Sequence, residues 1–309
     1  MKISVVLSTY NGQEYIIEQL ESIRNQSRAA DEVLIFDDCS TDRTVELVTQ
    51  FIAKYELLSW KVTVNQHNKG WRRNFIEGIW ASSGDIVFTC DQDDLWRRDK
   101  IAIMADLMEK HPQIKLLTSN YCEFNEHGRR APSPWKNDQR LHQVKLPANY
   151  LLVQSPGCTH CISRQIVELS RKYWQPEYAH DALVWRLAIF AEGLYTYADA
   201  LIDWRKHQKS AFAKESRDLK TIGEKKKWIR IAQSFNEMLR QYTVQDVKSK
   251  SKQRQFEVLK RTQDWLTVRA CFYQKKSVLT GIKLVLYWNC FPRYRQYLGD
   301  WYLLFIKRK

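Results

Sequence analysis

The first hundred residues alternate repeatedly between short apolar runs and segments of helical periodicity, and that rhythm restricts the fold more than any other feature of the chain. Ile3 to Ser8 is an apolar run that ends in the polar turn Thr9-Tyr10-Asn11-Gly12, after which Ile16, Ile17, Leu20 and Ile23 recur at helical spacing. Val33 to Phe36 is a second run, followed by Asp37 and Asp38. Ser40 then suits the N-cap of a helix with Val45, Leu47, Val48 and Phe51 inward. Lys61 to Val64 reads as a third strand. A helix carrying Phe75, Ile76, Ile79 and Trp80 follows, and Asp85 to Cys90 reads as a fourth strand. Alternation of this kind implies βαβ crossovers and a mostly parallel sheet covered on both faces. Such sheets bind ligands at the carboxyl ends of their strands. Ser8, Thr9, Tyr10, Asp37, Asp38, Asp91, Asp93 and Asp94 all stand at those ends and are expected to converge on one rim.

The most charged part of that rim is FTCDQDDLWRRDK, Phe88 to Lys100, with three carboxylates in four residues. Carboxylates this close disfavour one another's ionised form unless a cation or solvent separates them. One reading is an acidic cap on a helix bearing Ile101, Met104 and Leu107. The other is a cation site. Mg²⁺ and Mn²⁺ prefer carboxylate oxygens, and Mg²⁺ commonly uses one or two of them together with phosphate oxygens of a ligand, so a DxD turn at a strand end implies a diphosphate. An EF-hand is excluded: counting from Asp91, Trp96 replaces the required Gly and Ala102 the closing Glu.

With these pieces in place the chain resembles the inverting, nucleotide-sugar-dependent glycosyltransferases of family 2, which have a GT-A fold. The matching segments, in order, are SVVLSTYNG, SIRNQS, EVLIFDDCSTDRT, NKGWRRNF, SGDIVFTCDQDDLW, HDALVWRLA and WRKHQKSA. Within the family, DQDDxW with a later His-Asp pair is most similar to enzymes that transfer rhamnose or a related sugar in bacterial polysaccharide assembly. The resemblance implies that Ser8 and Tyr10 line the nucleotide pocket, that Asp38 binds the base and that Arg73 approaches the nucleotide or diphosphate, with Arg72 as its substitute. It puts Asp91 near the ribose or the metal and makes Asp93 the principal metal ligand, with Asp94 the weakest of the three. Asp181 matches the family's base position, and His180 departs from the Glu-Asp pair frequent there. His207, shortly after the last strand, is a further candidate for the metal or diphosphate, and Arg205 for phosphate oxygens. The Gln-x-x-Arg-Trp motif of processive relatives does not occur, which implies a single addition.

Charge divides the chain in two. Residues 1–204 carry a net −4 and residues 205–309 a net +18. The expected organisation is therefore a GT-A catalytic domain over 1–208, with a nucleotide-sugar half (1–100) and an acceptor half (101–208), and a basic helical C-terminal region over 209–309. In the acceptor half, RRAPSPWKNDQRLHQ reads as a loop and PGCTHCISRQIVEL as loop, strand and helix. In the tail, Trp228, Ile231, Phe235, Leu239 and Tyr242 fit one helix, and Phe256, Leu259, Leu266 and Ala270 another. The last stretch mixes Trp, Tyr, Lys and Arg with apolar residues, and its longest uncharged run falls short of the ~20 residues of a spanning helix. That composition suits the surface of an anionic bilayer, with packing on the catalytic domain or a homodimer contact as the other reading.

No nucleic-acid-binding motif accompanies the basic tail. The start lacks a signal peptide's apolar core, so a cytoplasmic protein on the inner face of the membrane is expected. Seven scattered cysteines give no disulfide framework, and the one CxxC, Cys158 and Cys161, lacks the second pair that zinc requires. A sugar-nucleotide nucleotidyltransferase is the alternative enzyme, although LSTYNGQEY lacks the basic Gly-rich loop it needs. A non-catalytic membrane- or nucleic-acid-binding protein is the alternative from another class. The donor implied is a UDP- or TDP-sugar, the acceptor a saccharide carried on a lipid, and the cofactor Mg²⁺ or Mn²⁺.

Overall fold

The computed structural model describes residues 1–125, 128, 130–133, 135–207, 221–243 and 249–307. The end of the WRKHQKSA motif beyond His207, and Arg129 and Pro134 of the acceptor-half loop, lie outside the described residues. The chain forms two compact units, one of Met1–Val144 with Gln154–His207 and one of Lys145–Val153 with Gln208–Lys309. The boundary thus falls at His207, and Lys145–Val153, which the charge division leaves in the acceptor half, groups with the second unit.

The first unit is a mixed α/β layer structure around one sheet. Strands β1 (Ile3–Thr9), β2 (Glu32–Asp37), β3 (Trp60–Val64) and β4 (Ile86–Asp91) run parallel in the order β3-β2-β1-β4, as the alternating pattern requires. Helices α1 (Ile16–Arg24), α2 (Thr44–Lys54) and α3 (Trp71–Ala81) make the crossovers. Strand β1 is buried along nearly its whole length, with Val5, Val6 and Leu7 fully shielded, because layers cover both faces of the sheet. The short β5 (Leu95–Trp96), helix α4 (Lys100–Lys110), strands β6 (Leu116–Asn125), β7 (Arg130–Pro132), β8 (Leu141–Gln143) and β9 (Cys161–Ser163), helices α5 (Arg164–Tyr173) and α6 (His180–Phe190), and strand β10 (Leu194–Lys206) complete the unit. Three-residue β9 inserts antiparallel between β4 and β6, and β10 runs parallel to β6. Two register shifts between Tyr197 and Asp203 interrupt the β10 ladder before Arg205 pairs opposite Phe124. Local kinks of this kind re-aim a strand end, and here they precede Arg205 and His207.

Two local expectations change. Ser40 does not cap α2, which begins at Thr44; its hydroxyl donates to Asp37 at 2.6 Å, while Asp42 accepts from the Thr44 amide at 3.0 Å. The DQDD turn does not cap the next helix either, since α4 starts only at Lys100 and Leu95 and Trp96 intervene as a strand paired with β10.

In the second unit, helices Ile222–Thr243 and Lys250–Lys275 bury Phe235, Leu239, Leu259, Trp265, Leu266 and Phe272. Phe256, expected inward, is exposed. Tyr150 donates to Asn236 at 2.6 Å, tying the 145–153 segment to the helices. Arg269 donates two bonds to Asp300, at 2.7 and 2.9 Å, and the guanidinium lies between 5.1 and 5.2 Å from the rings of Trp228, Trp265 and Phe291. Among the described residues no helix is long and apolar enough to cross a membrane.

Candidate active site

The carboxyl ends of β1, β2 and β4 lie side by side along one edge of the sheet, with Thr9 opposite Asp37 and Ser8 opposite Asp91. At the end of β2, Asp37 accepts from the Thr9 hydroxyl at 2.7 Å and from the Ser40 amide and hydroxyl. It holds the turn closed, with Cys39 in the left-handed region at φ 64°. Asp38 is also buried, and its oxygens accept from the Lys69 and Gly70 amides at 2.7 and 2.8 Å and from the Asn65 side chain at 3.0 Å. Asn65 donates in turn to Asn74, whose amide donates to the Ser8 hydroxyl at 2.8 Å and to the Phe36 carbonyl at 2.7 Å. Ser8 and Asp38 are thus linked through two asparagines that residue type alone does not single out. Removing a buried member of such a network leaves its partners unsatisfied, at about 1–3 kcal/mol. Asn74→Ala is therefore expected to lower Tm by several degrees and to weaken nucleotide binding, as read by thermal unfolding and calorimetric titration.

Gln92 of the DQDD turn accepts from the Tyr10 amide at 2.8 Å and donates to the Tyr10 carbonyl at 3.1 Å. This two-bond clasp fixes the end of β1 to the end of β4 and leaves the Tyr10 ring exposed. Gly12 permits it: a Cβ there would stand 2.3 Å from the Gln92 Oε1.

The carboxylates of the turn divide into two arrangements. Asp93 meets His207 Nε2 at 2.6 Å, and the His207 ring lies 5.1 Å from that of Tyr15. Arg205 braces the same turn by donating to the Asp93 carbonyl at 2.8 Å and to Glu18, its guanidinium set between the Tyr15 and Phe124 rings. Asp94 is buried, accepts from the Arg205 amide at 3.0 Å and approaches the Cys158 thiol. Ligand atoms of Asp91, Asp94 and Cys158 lie within 4.8 Å of one another. Burial, then the neighbouring carboxylates, pushes Asp91 well above the usual carboxylate range. Burial and Asp93 together push Asp94 up to about 7.

Beneath them lies Lys100, fully buried, donating to the Cys158 carbonyl at 2.7 Å and standing 3.7 Å over the Trp96 ring. Desolvation lowers its pKa to about 8. Burial also raises the thiols of Cys158 and Cys161, so the close cysteine pair is packing beneath the turn and is not a thiolate pair. The donor set therefore fits a hard cation through the two carboxylates, whose mutual repulsion such a cation would relieve.

Asp181 opens α6, and its Oδ1 accepts from the Ala182 amide at 2.7 Å. Its charge adds to the burial and neighbouring carboxylates that raise the pKa of Asp91, and partly offsets the burial that lowers that of Arg72, placing all three in one electrostatic environment. Arg72 is partly buried and lies 4.3 Å over the Trp71 ring. Arg73 instead donates to Glu77 at 2.7 Å on the exposed side of α3. His180 stacks on Phe75 at 4.1 Å, and burial lowers its pKa to about 4; His160, near Asp181 as well, is lowered to about 4 for the same reason. Both are neutral aromatic walls at pH 7.

Gly157 closes the floor of this side. A Cβ there would stand 3.0 Å from His180 Nε2 and 3.2 Å from Asp181 Cβ. Because His180 is clamped against Phe75, Gly157→Ala is expected to displace the first turn of α6. The predicted outcome is a kcat roughly tenfold lower, since small misplacements of a reacting group are costly, with nucleotide affinity unchanged by titration.

The family model described as Glycosyl transferase family 2 matches residues 4–170, more than half of the chain. The chain belongs to glycosyl transferase family 2. That sets aside the nucleotidyltransferase and non-catalytic readings. Among relatives, the poly(ribitol-phosphate) beta-N-acetylglucosaminyltransferase TarS of Staphylococcus aureus is 32% identical over 119 residues, 38% of this chain and 20% of that protein. The dTDP-rhamnosyl transferase RfbG of Shigella flexneri is 29% identical over 172 residues, 54% of this chain and 57% of that protein. The chain thus spans between a fifth and somewhat over half of the length of these relatives. The crystal structure of Staphylococcus aureus TarS 1–349 in complex with UDP-GlcNAc matches with a TM-score of 0.61 at 21% identity, covering 98% of this chain and 81% of that one. The mannosyltransferase PcManGT from Pyrobaculum calidifontis, in complex with GDP-Man and Mn²⁺, matches with a TM-score of 0.54 at 17% identity over 99% and 88%. At these identities the likeness concerns the fold, which is GT-A.

Proposed function

We propose that this chain transfers a sugar from a nucleotide diphosphate sugar to a hydroxyl of a saccharide acceptor by a single inverting displacement. The observation that carries the reading is the electrostatic grouping of Asp91, Asp94 and Asp181 with Arg72 at the strand ends. Ser8, Tyr10 and the turn held by Asp38 form the nucleotide side. Asp38 already accepts three hydrogen bonds within the fold, so its first service is to shape the turn at Lys69 and Gly70. Arg72, already within the field of Asp181, takes the diphosphate role first given to Arg73. Asp91 and Asp94, with Asp93, would hold a divalent cation, and His207 fixes the orientation of the Asp93 carboxylate. Such a cation, when bound, neutralises charge on the departing diphosphate.

The chain's own residues supply the rest. Asp181 takes the proton of the attacking hydroxyl. Arg72 adds a positive charge where the leaving group develops negative charge. His180, Phe75 and Trp71 exclude water from that side. The acceptor is a lipid-linked saccharide of cell-surface polysaccharide synthesis, and the enzyme works peripherally on the cytoplasmic face of the membrane, with UDP or TDP as the nucleotide.

The test is calorimetric titration with UDP and TDP, with and without Mn²⁺, followed by incubation with a panel of nucleotide sugars and membrane-extracted acceptors. Metal-dependent binding of one nucleotide and transfer with an inverted anomeric centre are expected. Loss of all metal-dependent nucleotide binding would falsify the reading.

A further inference from the structure

Among the described residues eighteen large apolar side chains are exposed, and eleven of them fall between Val278 and Ile306 in the second unit. In the helix Val278–Lys283 and the 3-10 turn Leu284–Cys290 the inward positions are Gly281, where a Cβ would collide with Trp301 and Phe272, the fully buried Leu284, and Cys290 at the end of the turn. Leu279, Ile282 and Leu286, spaced three and four apart, are 73%, 56% and 71% exposed. Leu298, Phe305 and Ile306 add to the exposed set. This helix therefore turns a small residue inward and its aliphatic residues outward, the reverse of a helix that packs on a core.

The same stretch is one-sided in charge. Lys275, Lys276, Lys283, Arg293, Arg295 and Lys307 are exposed, while its single acidic residue, Asp300, is buried beneath Arg269. Trp288 and Tyr294, about half exposed and 6.3 Å apart, border a recess of about 720 Å³ that Arg293, Arg295 and Asn149 also line. Exposed apolar residues at this density mark an interaction surface. Charge selects its occupant: a second copy presenting the same cations would be repelled, whereas anionic headgroups are attracted and aromatic residues favour the interfacial depth.

We propose that the surface of Leu279, Ile282, Leu286, Leu298, Phe305 and Ile306, with the cations around it, seats on an anionic phospholipid bilayer, the recess beside Trp288 receiving a headgroup phosphate. This deepens the proposed function, because a lipid-linked acceptor resides at such a surface.

The experiment is flotation of the full-length protein with vesicles of phosphatidylcholine alone and of an equal mixture with phosphatidylglycerol. Binding to the mixed vesicles only, weakening with salt, is expected. The double variants Leu279→Glu/Leu286→Glu and Arg293→Glu/Arg295→Glu should each lower the partition coefficient by on the order of tenfold or more. Their unchanged thermal unfolding would show that the fold is intact. The proposal is overturned if the protein fails to float with anionic vesicles or if both variants float as the parent does. It is overturned equally if sedimentation shows a dimer that Leu279→Glu/Leu286→Glu dissociates. Titration of the parent with UDP and TDP in Mn²⁺ separates the two proposals. A protein that floats but binds neither nucleotide sinks the transferase reading and leaves the membrane surface standing.

Discussion

Asp181→Asn is expected to lower kcat by on the order of 10³-fold, within the range that a positioned general base contributes, while leaving the affinity for nucleotide unchanged. The substitution keeps the oxygen that accepts from the Ala182 amide, so the first turn of α6 retains its geometry. What it removes is the basic oxygen and the negative charge. His180 offers no replacement: it is buried against Phe75, and a pKa of about 4 makes it a weak base at pH 7. His160 is buried with a pKa of about 4 as well. Single-turnover transfer measured beside calorimetric nucleotide binding separates the two effects. Near-parental turnover with intact binding would remove Asp181 from the base position. A loss of binding together with turnover would assign it to the donor site instead.

The loss of one negative charge has a second consequence. Asp181 is among the charges that raise Asp91, so the variant should hold its cation at slightly lower pH than the parent does.

The parts of this site that the sequence displays are those encoded in local periodicity. Continuous apolar runs identify β1, β2 and β4 because strands buried on both faces need no alternation. Their carboxyl ends then place Ser8, Asp38 and Asp91 on one rim. Arg72 stands three, four and seven residues before Phe75, Ile76 and Ile79, and so shares their inward face, whereas Arg73 shares a face with Glu77.

Other features depend on contacts distant in sequence. The antiparallel insertion of the three-residue β9 between β4 and β6 leaves no local pattern, nor do the register shifts that precede Arg205 in β10. The asparagines Asn65 and Asn74 and the clasp of Gln92 on Tyr10 are ordinary polar residues until the sheet assembles them. A carboxylate shortly before a helix suggests a cap, and Asp94 is not one. The intervening strand pair, Leu95 and Trp96 with Ile202 and Asp203, is what holds it at the buried end of the turn.

Asp94→Asn should stabilise the protein at pH 8 and weaken its binding of Mn²⁺. Asp94 is raised to about 7, against an ordinary value near 4 in the unfolded chain. Between those values the folded state holds a proton that the unfolded state has released, so this group makes stability fall as pH rises from about 4 to about 7. The penalty is complete above that window, where the buried carboxylate is ionised beside Asp93 and Asp91. A neutral asparagine of the same shape removes it, can still accept from the Arg205 amide, and takes away one of the charges that raise Asp91. Each kcal/mol regained corresponds to about 2–4 °C in Tm for a domain of this size. A gain of several degrees is expected at pH 8 and little at pH 4, measured by thermal unfolding without metal. The same variant should bind Mn²⁺ at least tenfold more weakly, because a hard cation loses one of its few carboxylate ligands. Equal Tm values for variant and parent at pH 8 would mean that Asp94 is already compensated in the free protein. Unimpaired Mn²⁺ binding would place the cation elsewhere on the turn. The burial of Asp94 beside its neighbouring carboxylates thus costs stability, and pH 8 without metal is the condition in which that cost is largest.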